Sequence, residues 1–566
     1  MNALPDRRPP RSTARRPFPR LQHLVAGLLL ILPPLRGSAQ YATDRTIYLS
    51  AAYSEGQVGT GPRGTQGSGT LAKPYYGDFD HILGTLVPAV TNDAGGTTVV
   101  LLPGTYWTRG YNISRTEGTA LPRGTRLVGS GMEATTIRLT LPPGVQSGSW
   151  AVVHGARSRT GAADGDGIEV TDLTVDGASP GASFNGKING VNLSGNGCAI
   201  RRVRATRVSG NNRASNPNDA ECFALLIATD DYIMKPGAFR DFGSVIEDCV
   251  VTNVLGTYTT AIQIAGQGVV RNNRVWFPIV ADSPLGGSVH LFAYNVGDGH
   301  DLLLQGNFAE GGTVGFYNDW HTLTNVTVLH NTFRNGVQGV FINSSDHIDT
   351  LRIEGNLIEL HPWADAASPP VSVDGILVHQ QRREKTIRGL HILNNIIRWS
   401  DGRTVVGAST STRWKRALGV YGVPGSIQDA RIVGNVIDRN LDYLNSLGDG
   451  TRFAGPRRAV IHDNVDLSGS PIPFLSRQEV GPRDPAAAVV SGYFRTVVVR
   501  RPAGGSLTLP PAAGESGREF QILSHATNAV SLLPSPGDTI QPRPATVPPG
   551  GMTRLVSDGM GTWFRP

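Results

Sequence analysis

Apolar residues along this chain come in short bursts of alternation, and the bursts themselves recur. Between Leu302 and Leu360 one phrase appears three times: Leu304-Gln305-Gly306-Asn307-Phe308, Val328-Leu329-His330-Asn331-Thr332-Phe333 and Ile353-Glu354-Gly355-Asn356-Leu357-Ile358. The asparagines lie 24 and 25 residues apart. A second strand-like run sits between phrases, Gly315-Phe316-Tyr317-Asn318 and then Gly339-Val340-Phe341-Ile342-Asn343. Alternation predicts strands. A fixed period in the twenties with two or three short strands per period predicts a solenoid. One such turn cannot bury its apolar face alone. Stacked turns can, because each strand pairs in parallel with its equivalents about 4.8 Å above and below. An asparagine at one place in every turn predicts an amide ladder along the stack. Hairpins built on Asn-Gly turns would not require an equal period.

The asparagine position can be followed through Leu173, Val203, Cys249, Asn273, Asn307, Asn331, Asn356, Asn395, Asn435 and Asn464. Spacings well above the basic period imply loops, at Asn211 to Glu221, His361 to Ser372 and Ala408 to Lys415. Loops on a rigid scaffold commonly carry binding. Upstream, Asp78 to Val87 has Phe79, Ile82, Leu83 and Leu86 at helical spacing. An amphipathic helix there would cap the open end of the stack. After Ser470 the phrase stops. Short alternating strands and turns over 476–566 predict a separate small β module. The expected division is 1–39, 40–89 with the capping helix, 90–470 as solenoid, and 476–566.

Composition agrees with a turn-dense β protein: 70 glycines, 38 prolines and only 17% charged residues in 566. The formal charge of +7 is misleading. Residues 1–39 hold seven arginines and one acid, so the remainder balances at +1. Nothing in that balance predicts nucleic-acid or membrane-surface binding. The same 1–39 stretch reads as an export signal, with a basic region, an apolar run Leu24 to Leu32, and Gly37-Ser38-Ala39 before Gln40. Arg15-Arg16-Pro17-Phe18 also resembles a twin-arginine signal. The apolar run is too short to span a bilayer as an ordinary helix. The expected location is extracellular or periplasmic. Cys198, Cys222 and Cys249 lie 24 and 27 residues apart, which suggests small buried residues stacked in successive turns. Export would permit a disulfide.

The opening of the solenoid carries a family resemblance. Thr97 to Tyr106 ends in Pro103-Gly104-Thr105-Tyr106, and Gly129-Ser130-Gly131 precedes Thr135-Thr136-Ile137. This resembles the first turns of right-handed parallel β-helix proteins of the pectate-lyase-like superfamily, over roughly residues 90–470. The resemblance implies an all-β, right-handed parallel β-helix with substrate lying along one stacked sheet. A second resemblance covers the C-terminal module. Thr508-Leu509-Pro510, Gly537-Asp538-Thr539-Ile540, Ser557-Asp558-Gly559 and Thr562-Trp563 resemble a module at the ends of phage tail fibres. It implies attachment or oligomerisation and does not fix a ligand.

Aligning the strands that begin near glycine, with the runs at Ala261, Ser288, Gly315, Gly339, Gly375 and Gly419, puts Gln263, His290, Phe292, Tyr317, Asp319, Phe341, Asn343, Leu377, His379 and Tyr421 outward. Aromatic faces stack on sugars, and carboxylates and amides bond hydroxyls. His290, Tyr317, Phe341, Asn343, Tyr421 and Arg382 are therefore candidate polysaccharide contacts. The alternative is an ordinary solvated face whose aromatics pair across strands. Candidate acid–base residues are His300, Asp319 and His321, in the dense stretches Gly297 to Asp301 and Asn318 to His321, with Asp374 and His379 from the aligned strands. The acid pairs of polygalacturonase-like relatives are missing. Asp374 sits where such an acid belongs, but Gln338 stands on the preceding turn, and Asp319 is offset by about five residues along its strand, at about 3.3 Å each. That is too far for an inverting pair. Lyase chemistry would draw on Lys235 and Arg240 or on Arg382, Arg383 and Lys385. No cofactor is required. Calcium at Asp164, Asp166 and Asp172 is an option. The expected function is binding and cleavage of an extracellular polysaccharide by lyase or hydrolase chemistry, the alternative a non-catalytic glycan-binding adhesin or structural solenoid.

Overall fold

A computed structural model describes residues 45–565 except 52–57, 59–65, 88–95, 157–164, 179–183, 212–220, 229–242, 257, 278–289, 320, 344–345, 361–371, 381, 383, 400–413, 424–425, 439–440, 445–459, 471–476, 481–486, 490–495, 501–502, 513–518 and 543–544. The expected export signal, the three expected loops, and Asp164, Lys235, Arg240 and Arg383 lie outside the described residues, apart from the loop ends.

Among the described residues, 37 strands pair in one continuous, almost wholly parallel system, a right-handed parallel β-helix. Each complete turn has three faces. Val314–Asp319, Gln338–Asn343, Ser372–Gln380 and Trp414–Gly422 stack on face one. Leu323–Leu329, Ile348–Glu354 and Ile387–Leu393 stack on face two. Phe308–Glu310, Thr332–Gly336, Leu357–Leu360 and Ile396–Trp399 stack on face three. The long strands Tyr258–Arg271 and His290–Gln305 run over the corner from face one to face two. The stack begins earlier than residue 90, because Arg45–Leu49 already pairs in parallel with Thr97–Leu101.

The repeated phrase is the corner between faces two and three. The residue before the ladder position is left-handed in all ten turns, at Asp172, Arg202, Asp248, Asn272, Gly306, His330, Gly355, Asn394, Gly434 and Asp463, with φ from 49° to 69°. Glycine, asparagine and aspartate tolerate that region best, which explains most of its occupants. The next residue returns to extended backbone and points inward. Asparagine there makes the expected ladder. Asn307 donates its backbone N–H (3.0 Å) and its Nδ2 (2.9 Å) to Asn331 Oδ1, and a second Nδ2 bond (2.9 Å) reaches Val270 O on the turn before. The same pattern repeats from Asn273 to Asn464. Every rung is buried, and its amide is satisfied on both sides.

Aliphatic columns fill the interior around this ladder. Leu304, Val328, Ile353, Ile392 and Ile432 stack from face two, Ile358, Ile397 and Ile437 from face three, and Val340, Ile376 and Leu418 from face one. Each fully buried side chain of this kind contributes about 1.5–3 kcal/mol relative to exposure. The strand-opening Gly315, Gly339 and Gly375 have a packing cause. A Cβ at these positions would collide with Phe333, Ile358 and Ile397 across the interior.

The N-terminal cap forms as expected, with one difference. Phe79–His81 is α-helical and Ile82–Leu86 widens to a π-helical turn. Asp78 Oδ1 caps it, accepting from the N–H of Asp80 at 3.1 Å and of His81 at 3.4 Å. Phe79, Ile82, Leu83 and Val87 are buried, and Phe79 packs on Tyr106. All three cysteines are buried and free. They do not stack on one another. Cys249 occupies a ladder position, Cys222 pairs with Thr259 on the strand before the face-one corner, and Cys198 precedes a face-two strand. Equal sequence spacing therefore does not mean one column when loops intervene.

The C-terminal residues form two sheets of their own around the buried Trp563. They are not simple hairpins. Arg477–Val480, Thr496–Val499 and Glu519–Ser524 pair in parallel, as do Ala487–Val489, Gly505–Thr508 and Val530–Leu533, so the module starts as a short second solenoid. Antiparallel Met552–Ser557 then closes it. The motif residues converge on one place. Trp563 Nε1 donates to Pro510 O at 3.1 Å, Ser557 Oγ to Ala512 O at 2.7 Å, and Asp538 accepts from Ala512 N at 2.7 Å. The resemblance there is carried by residues that hold the fold.

Candidate functional site

The face-one strands that start at Cys222, Ser372 and Trp414 begin where the three expected loops end in sequence. The register of face one puts Gln263, Asn295, Tyr317, Phe341 and Leu377 in one outward column. A second outward column, two residues on, holds Asp319, Asn343, His379 and Tyr421. Asn318, between them, turns inward, is fully buried and donates its amide to Val296 O at 2.7 Å. Two strands sit differently from the sequence alignment. His290 begins its strand opposite Tyr258, five residues before Asn295, which is the true partner of Gln263. Tyr421 pairs with His379 and not with Leu377. In both strands the corner residue is alanine, Ala293 or Ala417, where one adjoining turn has glycine, Gly315 or Gly375.

Asp319 is the centre of the site. It accepts from the Tyr317 hydroxyl at 2.7 Å and from Asn343 Nδ2 at 3.2 Å. Tyr317 lies flat on Phe292, with ring centroids 4.1 Å apart and planes 9° apart. Tyr258 meets the other side of Phe292 edge-on at 5.5 Å, and Phe341 flanks Tyr317 at 5.7 Å. Tyr317 is only 7% exposed, so its ring is spent on this stack and not open to a sugar. Phe341, Asn343, His379 and Tyr421 are partly exposed. His379 and Tyr421 touch, ring to ring, at 4.4 Å.

A second carboxyl joins this surface. Glu221 follows one loop and precedes Cys222, and accepts from Thr260 Oγ1 at 2.9 Å. Burial pushes its pKa up to about 7; the Thr260 bond, the Lys187 ammonium and an Asn295 bond pull it back, and the negative charge of Asp319 adds to the rise. The hydroxyls of Tyr258 and Tyr317 are pushed well above their ordinary range by burial and then by Glu221 and Asp319, so both stay protonated. Two carboxyls with different surroundings on one face are the pattern of an acid–base pair.

Other expected residues lie elsewhere. Asp374 is wholly buried, bound by Arg416 from the next turn through both oxygens and by Gln338 Nε2 at 3.1 Å. A carboxylate so enclosed is a structural ion pair, and its offset from Asp319 is as expected. His300 lies past the corner on face two, 3.4 Å from Asp301. His321 follows face one. Burial lowers its pKa to about 4 against the pull of Asp346, so it is neutral at neutral pH. Asp346 pairs with Lys385 at 2.9 Å and Arg382 at 3.5 Å. The side chain of His290 lies outside the described residues. Of the aspartates offered for calcium, Asp166 and Asp172 are described, and each has protein partners. Asp172 is committed to Arg202 at 2.6 and 2.8 Å, Asp166 to Asn196 N at 2.7 Å, and among the described residues no three His, Cys, Asp or Glu gather.

No family model matches the chain, and no curated protein matches it. Solved structures do, at low identity. The Azotobacter vinelandii mannuronan C-5 epimerase AlgE6 A-module is 14% identical over 68% of this chain and 94% of its own, with a TM-score of 0.32. PfbA, a surface adhesin of Streptococcus pneumoniae, is 11% identical over 85% and 93%, TM-score 0.36. The Dettilon tailspike protein is 11% identical over 82% and 69%, TM-score 0.38.

Sequence reasoning missed Glu221, Lys187 and Tyr258. They occupy the strand segment before the face-one corner, where no repeat phrase marks the register. Glu221 gains its character from burial among residues remote in sequence, including Thr260 and Asn295, 39 and 74 residues further on, which bond it. Its position immediately after an expected loop was the one available signal.

Proposed function

We propose that face one is the groove of a polysaccharide-processing β-helix protein, with Glu221 and Asp319 as its acid–base pair. The observation that carries this is a carboxyl held near neutrality, Glu221, sharing an outward surface with the carboxylate of Asp319. Near pH 7 Glu221 is divided between its two forms, the optimum for proton delivery. On this reading Glu221 gives its proton to the leaving glycosidic oxygen. Asp319, oriented by Tyr317 and Asn343, receives a proton in exchange. In hydrolysis that proton comes from the attacking water; in elimination it comes from the sugar carbon beside a carboxylate. Phe341, His379, Tyr421 and Asn343 supply the partly exposed contacts along the strands. The leader would deliver the protein outside the cytoplasm, where such polymers lie, and the C-terminal module would serve attachment or oligomerisation.

A second reading, glycan binding without cleavage, is favoured by the partly exposed rings of Phe341, His379 and Tyr421 along the same strands. Incubation with a polysaccharide panel, reading both reducing ends and the ultraviolet absorbance of unsaturated products, separates the two. Cleavage by the native protein, reduced about 100-fold or more in Glu221→Gln and Asp319→Asn, supports the acid–base reading. Glycan-array binding with no product from any polymer would leave only the second.

A further inference from the structure

Face three carries a groove that neither the sequence nor the face-one chemistry accounts for. It crosses five consecutive turns, at Thr136, Thr174, Arg204, Val250 and Arg274, and has a volume of about 830 Å³. Four strand spacings make that about 19 Å, room for about four sugar residues in a row. Two outward columns build its floor. One runs through Thr136, Thr174, Arg204, Val250 and Arg274, the other through Arg138, Asp176, Thr206, Thr252 and Trp276. Further along the same face the second column becomes Glu310, Arg334, Glu359 and Arg398, an ion-pair ladder that fills itself.

The groove is different because, among the described residues, its charges do not cancel. Arg138 is bound to Asp176 at 2.8 Å, which also holds Arg207, and Arg204 takes both oxygens of Glu133. Both acids are kept ionised by these arginines, whose bonds outweigh burial. Arg274 is exposed and has no acidic partner among the described residues. Trp276, two residues along the same strand and so on the same side, is partly exposed and backed by Phe308 of the next turn at 5.8 Å. Thr206 and Thr252 place hydroxyls in the column leading to it. A guanidinium with no acidic partner among the described residues, an indole face and a row of hydroxyls match a carboxylate, a sugar ring and sugar hydroxyls.

We infer that this groove is a binding site for an acidic oligosaccharide, a uronate of about four residues, with a carboxylate on Arg274 and a ring against Trp276. It is separate from face one and does not rest on the proposal made there. Oxidative footprinting of the full chain, read at Trp276 by mass spectrometry, tests it with tetragalacturonate as probe and neutral maltotetraose as control. Tetragalacturonate should protect Trp276 severalfold, maltotetraose should not, and Arg274→Gln should abolish the protection. Glu221→Gln, on face one, should leave it intact. Equal oxidation of Trp276 with and without tetragalacturonate would overturn the inference. So would protection that survives Arg274→Gln.

Discussion

Asn356 shows how much one buried amide holds. It accepts from the N–H and Nδ2 of Asn331 and donates to Val328 O and to Asn395 Oδ1. Asn356→Ala strands donors on one side and acceptors on the other. We expect a loss of about 3 kcal/mol in urea unfolding, since each buried orphan costs about 1–3 kcal/mol. A loss below about 0.5 kcal/mol would mean the ladder is ornamental. Glu221 makes the opposite kind of prediction. Its folded pKa, about 7, lies above the ordinary 4.5. A raised carboxyl favours the folded state at low pH, and that advantage is lost as pH rises from the ordinary value through the folded one. Glu221→Gln should therefore be the more stable protein at about pH 8 and lose that edge at about pH 4. His321 works the other way. Its folded pKa near 4 lies below 6.5, so stability falls as the medium is acidified through that window.

At the scale of the element, the corner between faces two and three decides the fold, and most of it could be read in the sequence. Gly-Asn and Asn-Asn pairs mark it because the first residue is left-handed and the second must bond inside. His330 breaks the preference, at φ 52°. His330→Gly should stabilise the protein by about 1 kcal/mol, because a side chain in that region costs about that much. Gly355→Ala should destabilise it, since the added methyl meets the His330 ring. Urea midpoints check both. Where the reading slipped, at His290 and Tyr421, the error came from taking glycine as the mark of the face-one corner. The corner needs only a small residue under the opposite face, and Ala293 and Ala417 suffice. The candidate site was half legible. Tyr317, Asp319, Asn343 and His379 follow from alternation once the register is known. Glu221 does not, because its pKa is set first by burial under residues distant in sequence.

Among the described residues the two main apolar cores are separate, one from Ile47 to Leu441 and one from Val497 to Trp563. Trp563→Ala should cost the second about 3–5 kcal/mol, the range for an emptied aromatic site. Calorimetry should then show one transition lowered and the β-helix transition unmoved; a joint shift would contradict two independent cores. On the long rod the two glycan surfaces proposed here occupy different faces. Face one holds two carboxyls in different surroundings, and face three holds an arginine with no acidic partner among the described residues. The central claim is that Glu221 and Asp319 are a working acid–base pair. Its most direct test is kcat/KM against pH, from about pH 5 to about pH 9, on whichever polymer the native protein cleaves. The account predicts a limb with a midpoint near 7, set by Glu221 and absent from Glu221→Gln. An unchanged profile in that variant, at unchanged rate, would contradict it.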